Sequence, residues 1–197
     1  MRGHLIVFEG LDQSGKQTQA ERLRDRLTAL DHKVRLVSFP DYNTHIGDEL
    51  ARALAGEREY SAEVMQLLYV ANRYEWRAAL QQMLADGWFV VSDRYTASSV
   101  AYGEAFGLDA AWLTDVQRFL PSPSATVMLD IAPETAVTRK SVDRDRYERD
   151  LTLQARVRDS YRRLATRDGW LLLNGDRPKD DIAAEVFTHL ASRLGLQ

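Results

Sequence analysis

"LIVFEGLDQSGKQTQAERLRDRLTAL", residues 5–30, decides how the rest of the chain is read. It opens on a continuous apolar run, Leu5 to Phe8, the pattern of a strand buried on both faces. It closes with Ala20, Leu23, Leu27 and Leu30 at helical spacing and charges opposite them. Between the two lies G-x-x-x-x-G-K, carried by Gly10, Gly15 and Lys16. A glycine loop between strand and helix turns backbone N–H groups and the positive end of the helix dipole onto phosphate oxygens, and the Lys reaches the terminal phosphates. The hydroxyl residue that normally follows the Lys is absent: Gln17 stands there, then Thr18. Gly10, Leu11, Asp12, Gln13, Ser14, Gly15, Lys16, Gln17 and Thr18 are therefore expected to hold nucleotide phosphates. Asp12 and Asp93 are the carboxylates placed to help bind Mg²⁺, which keeps several waters and needs few protein ligands. Whether Gln17 touches the metal stays open.

Outward from this unit, apolar runs and helical patterns alternate. Strands are expected at 5–9, 34–40, 88–93, 125–131 and 170–174. Helices are expected at 46–55, 61–85, 96–106, 109–120, from about Pro133, at 151–167 and at 179–195. Such alternation predicts an α/β fold with a mainly parallel sheet and helices on both faces. Residues 139–150, "RKSVDRDRYERD", are dense in charge and nearly free of apolar side chains, and are read as a short lid within one domain spanning 1–197.

The bulk composition narrows the class. With 45% hydrophobic and 28% charged residues and a net charge of −3, the 197-residue chain lacks the basic excess of a nucleic-acid or membrane-surface binder. Having no cysteine, it has no disulfide, no thiolate nucleophile and no cysteine-ligated metal. The histidines at 4, 32, 45 and 189 show no ligand spacing. No run of about 18 apolar residues occurs, and the N-terminus leads straight into a strand-like segment. A cytoplasmic protein is expected.

Further segments point to the same chemistry. "SDRY" begins where the apolar strand 88–91 stops, at the strand end where ligands of open α/β sheets bind. Arg94 beside Asp93 suits a second phosphate. "LLYVANRYEW" puts Tyr69, Asn72, Arg73 and Trp76 on one helical stripe, fit to stack on a base and bond its edge. Phe39 and Tyr42 of "FPDY" could wall the same cleft. Arg139, Lys140, Arg144, Arg146 and Arg149 would supply the cations that a closing lid brings to a migrating phosphoryl group.

Taken together, "FEGLDQSGKQTQ", "FPDYNTHIG", "LLYVANRYEW", "SDRYTASSVAY" and "RYERDLTLQ" resemble the thymidylate kinase (dTMP kinase) family nearly end to end, in order and spacing. The resemblance implies a P-loop NTPase-type three-layer fold with a five-stranded parallel sheet, usually a homodimer, in which MgATP phosphorylates dTMP to dTDP. It assigns ATP phosphates to Lys16, with Arg139 and Arg146 nearby, and the metal or reacting phosphate to Asp12. Tyr69 would stack on thymine, Arg73 meet its carbonyl and Ser99 its edge. Arg94 would bind the dTMP phosphate, Tyr102 crowd the sugar 2′ position, and Phe39 and Tyr147 line the cleft. Gln13 stands where some members carry a catalytic Arg; members without it place that cation in the lid, where Lys140, Arg144 and Arg146 would fit the role. Tyr42 replaces the Arg that follows "FPE" in many members. Two rivals remain: a deoxynucleoside kinase with Asp41 as base, and a nucleotide-binding regulator impaired at Gln17.

Overall fold

The computed structural model describes residues 3–139 and 150–195. Within them five strands form one sheet: β1 (His4–Glu9), β2 (Val34–Ser38), β3 (Phe89–Asp93), β4 (Ala125–Asp130) and β5 (Leu171–Asn174). The order is β2-β3-β1-β4-β5 and every pairing is parallel. Parallel strands need crossovers, and the intervening helices supply them. They are α1 (Lys16–Ala29), α2 (His45–Leu54), α3 (Ala62–Glu75), α4 (Arg77–Ala85), α5 (Thr96–Ala105), α6 (Ala110–Asp115), α7 (Pro133–Arg139), α8 (Leu151–Asp168) and α9 (Lys179–Leu194).

The three central strands are buried on both faces, as their continuous apolar runs require, while the edge strands β2 and β5 keep exposed positions. Ile6 and Phe8 pack with Leu23 and Leu27 of α1 and with Val186 and Leu190 of α9. Leu5 and Val7 turn the other way, toward Val90, Tyr95 and Leu120. Met128 of β4 meets Val157 and Tyr161 of α8 on that second side, where Val100 of α5 also packs. By strand alternation Glu9 continues the Leu5–Val7 face, so its carboxylate enters the sheet–α5–α8 layer rather than the layer under α1.

Two expected helices differ. The run 61–85 divides at Trp76, which ends α3 and starts α4. No Pro or Gly marks the break; Trp76 is instead held by its indole N–H, 2.9 Å from Asp41 Oδ2. The expected helix 109–120 is regular only over α6, whose N-cap Asp109 accepts from the Trp112 N–H. Among the described residues no helix is long and apolar enough to cross a membrane.

Candidate active site

Because β1 lies between β3 and β4, the loops leaving the carboxyl ends of these strands face one crevice. Residues 10–15 leave β1 and climb into α1. Gly10 has φ +139 and passes so close to β4 that a Cβ there would lie 2.4 Å from the Leu129 carbonyl oxygen. Gly15, at φ +97, is the N-cap of α1, and among the described residues no side chain caps that end. The helix thus presents uncapped N–H groups at its positive end, the arrangement that takes an anion.

Lys16 is buried, its Nζ 2.8 Å from the Leu11 carbonyl and 3.8 Å from Asp12 Oδ1. Burial, with Arg94 nearby, lowers its pKa against the raising charges of Asp12, Asp93 and Glu9. Gln17 and Thr18 are exposed, and the Gln17 amide donates to Glu21 Oε1 at 2.9 Å along the helix. Ser14 is buried and its Oγ makes no hydrogen bond among the described residues.

Arg94 follows β3 in a left-handed conformation, φ +65, fixed by its N–H donating to the Phe8 carbonyl at 2.9 Å. This bend swings the guanidinium over the loop. Nη2 donates to Asp12 Oδ1 at 2.6 Å, and Nη1 to the Tyr161 hydroxyl at 3.0 Å. Tyr102 donates to Asp12 Oδ2 at 3.3 Å, and its ring lies 5.5 Å from the Arg94 guanidinium. Burial pushes the Asp12 carboxyl up, but the charges of Arg94 and Lys16 outweigh it and hold it well below the ordinary carboxylate range. Asp93 Oδ1, also buried, has no hydrogen-bond partner among the described residues.

The other half of the crevice is built by α3 and α5. Arg73 is 2% exposed, and its Nη1 donates to Ser99 Oγ at 2.8 Å and Gln117 Oε1 at 3.2 Å. Burial lowers its pKa to about 10, against the raising charge of Glu9, so it remains cationic at neutral pH. Asn72 does not face the crevice freely: it bonds the Asp41 backbone and Thr44 Oγ1, tying α3 to the loop after β2. Asp41 is itself engaged by Asn43 and Trp76. Phe39 is a core residue, 2% exposed, against Tyr95 and Trp76, and lies beneath the cleft more than on its wall. Tyr69 is half-buried and Tyr42 exposed.

Arg139 spans the loop: Nη1 donates to the Gln13 carbonyl at 3.0 Å, and Nη2 reaches Gly175 and Asp176 beyond β5. Lys140, Arg144, Arg146, Tyr147 and Arg149 lie outside the described residues. Separately, a cavity of about 370 Å³ opens between the starts of β4 and β5 and reaches inward to Val7, Glu9 and Tyr95. It contains none of the loop residues and is not this site. Sequence reasoning missed Ser98, Gln117 and Tyr161. No spacing signals them, because each meets Arg73 or Arg94 through tertiary packing.

The thymidylate kinase family model matches residues 8–186. Thymidylate kinase of Arabidopsis thaliana is 35% identical over 185 residues, 94% of this chain and 70% of the relative. That of Schizosaccharomyces pombe is 37% identical over 163 residues, 83% of this chain and 77% of the relative. The solved structure of thymidylate kinase from Candida albicans superposes with a TM-score of 0.85 at 28% identity, covering 100% of this chain and 94% of the other. The chain belongs to the thymidylate kinase family.

Proposed function

We propose that the chain transfers the γ-phosphate of ATP to dTMP, giving dTDP and ADP, as a step in dTTP synthesis. The observation that carries this reading is the junction of two phosphate-reading elements at one carboxylate. Asp12 lies 3.8 Å from Lys16 on the loop side and 2.6 Å from Arg94 on the β3 side. A donor phosphate on the loop and an acceptor phosphate on Arg94 would meet between them.

An oxygen of the dTMP phosphate attacks the γ-phosphorus, the bond to the β–γ bridging oxygen breaks, and ADP leaves. The acceptor phosphate is already a nucleophile, so no base is required. Catalysis is by positioning and charge neutralisation. Lys16 and the uncapped N-terminus of α1 hold the donor phosphates, with Arg139 steadying the loop at Gln13. Arg94 holds the acceptor phosphate. Arg73 and Ser99 read the thymine edge, Tyr69 stacks on it, and Phe39 and Tyr42 support that end of the cleft. Tyr102 crowds the sugar.

Among the described residues no cluster of three carboxylates or histidines forms a metal cage. That fits Mg²⁺, which is held mainly by water and substrate phosphates, and the unpartnered Asp93 Oδ1 with Asp12 would supply its protein anchors. When bound, Mg²⁺ neutralises charge on the transferring phosphates. Residues 139–150 are proposed as the lid of this single domain, with Lys140 and Arg144 meeting the migrating group, Arg146 the ATP phosphates and Tyr147 the cleft. A homodimer, on the strength of the family resemblance, and a cytoplasmic location complete the proposal.

The test is ADP release from MgATP with dTMP and with thymidine as separate acceptors. Turnover with dTMP alone is expected. Turnover with thymidine alone would overturn the proposal in favour of a nucleoside kinase, although the engaged Asp41 is poorly disposed to act as its base.

A further inference from the structure

Behind Arg94 lies a polar cluster that none of the roles above uses. Glu9 ends β1 fully buried. Its Oε1 accepts the Tyr95 N–H at 2.9 Å, and its Oε2 faces the Ser98 Oγ at 2.7 Å and the Tyr161 hydroxyl at 3.0 Å. The same two hydroxyls face Arg94: Nη1 lies 3.0 Å from the Tyr161 oxygen and 3.3 Å from Ser98 Oγ. A guanidinium only donates and a carboxylate only accepts, so the protons are passed from Arg94 toward Glu9 through the two hydroxyls, whose oxygens also lie 2.8 Å apart in a bond that either can donate. Burial, reinforced by the Glu9 charge, pushes the Tyr161 hydroxyl well up in pKa, so it keeps the proton it donates.

This arrangement fixes a side chain whose backbone already points it in an unusual direction, at φ +65. Asp12 holds Nη2 from the loop side, but Asp12 is one-third exposed and is itself assigned to the reacting phosphates. The fully buried Tyr161 is the rigid partner, its ring packed among Val157, Leu164 and Met128. A buried donor–acceptor chain with every member satisfied rigidifies the group at its end.

We propose that Tyr161 is a positioning residue for the reaction: with Ser98 and the buried Glu9 carboxylate, its hydroxyl holds the Arg94 guanidinium where the acceptor phosphate must sit. The proposal rests on the reading of Arg94 as the dTMP-phosphate ligand. It implies selectivity: what Tyr161 stabilises is the grip on the acceptor's phosphate, not on its nucleoside. Tyr161→Phe keeps the packed ring and removes only the hydroxyl.

The test is calorimetric binding of dTMP and of thymidine to the full-length protein, in wild type, Tyr161→Phe and Arg94→Gln, with thermal midpoints recorded for each. Hydrogen bonds involving a charged partner lead us to expect that Tyr161→Phe weakens dTMP binding roughly tenfold while leaving thymidine binding unchanged. Arg94→Gln should abolish most of the preference for dTMP over thymidine. If Arg94→Gln removes the preference and Tyr161→Phe leaves it intact, the positioning role is overturned and the assignment of Arg94 stands. If Tyr161→Phe weakens both ligands equally, its role is only structural, and the proposal is again overturned. If Arg94→Gln keeps the preference, the phosphate assignment itself fails and takes this inference with it. Should Tyr161→Phe not fold, Ser98→Ala carries the same comparison. Its 3.3 Å contact predicts a smaller loss, confined to dTMP; no loss, or an equal loss for thymidine, would overturn the relay.

Discussion

The two loop glycines do different jobs, and replacing each with alanine should separate them. At Gly10 an added Cβ would lie 2.4 Å from the Leu129 carbonyl oxygen and 3.0 Å from Ser14 Oγ, about 1 Å short of ordinary contact with the former. That oxygen belongs to a strand held on both sides, with Leu129 in register with Leu173 of β5, so it cannot retreat freely. At Gly15 the nearest atom to an added Cβ is the flexible Leu129 Cδ1, at an ordinary 3.9 Å. Both positions have positive φ, so each substitution carries backbone strain of about 1–3 kcal/mol. Only Gly10→Ala adds a collision with backbone, worth about a further 1–3 kcal/mol. For a domain of this size about 1 kcal/mol moves the melting midpoint by about 2–4 °C. Gly10→Ala should therefore melt roughly 2–12 °C below Gly15→Ala, measured by circular dichroism on ligand-free protein. A loop displaced by about 1 Å should also lower turnover by about a hundredfold. If Gly15→Ala melts as low as Gly10→Ala or lower, close approach to β4 is not what constrains the loop.

Other consequences can be measured on the same preparations. Gln17→Ser restores a hydroxyl after Lys16 and should lower the Mg²⁺ concentration needed for half-maximal turnover; an unchanged requirement would show that a hydroxyl at this position does not serve the metal. Asp12 has a folded-state pKa held below its unfolded value, so its stabilisation is complete above the ordinary carboxylate pKa and fades as pH falls toward the folded one. The urea-midpoint difference between wild type and Asp12→Asn should be flat from about pH 8 to 5 and shrink below about pH 4; a difference undiminished at about pH 3 would contradict the pairing with Arg94 and Lys16. Tyr102→Ala removes the ring beside Arg94 and should admit ribonucleotide acceptors, and continued rejection of UMP would remove its assignment to the sugar.

Much of this architecture was legible before the structure. Each expected strand is present to within two residues at its ends, because a strand buried on both faces writes itself as an apolar run. The loop was legible because its requirements are local: glycine at two of its three positive-φ positions, 10 and 15, and a Lys one residue inside the helix. The division of α3 from α4 was not, because residues 61–85 satisfy a helical pattern throughout; Trp76, where they part, bonds Asp41, 35 residues away.

The parallel α/β class, the phosphate loop and the residue types that meet there could be read along the chain, since each depends on neighbours within a few positions. Which carboxylates are available depends on contacts between distant segments. Asp41, open to a base role in the sequence, is consumed by Asn43 and Trp76, whereas Asp93 keeps an oxygen with no hydrogen-bond partner among the described residues. How Arg94 is held depends on such contacts too. Glu9 and Tyr161 are 152 residues apart and meet because β1 ends on the face that α8 covers. Such a contact is set by strand parity and helix packing acting together, and no spacing in the chain encodes their product.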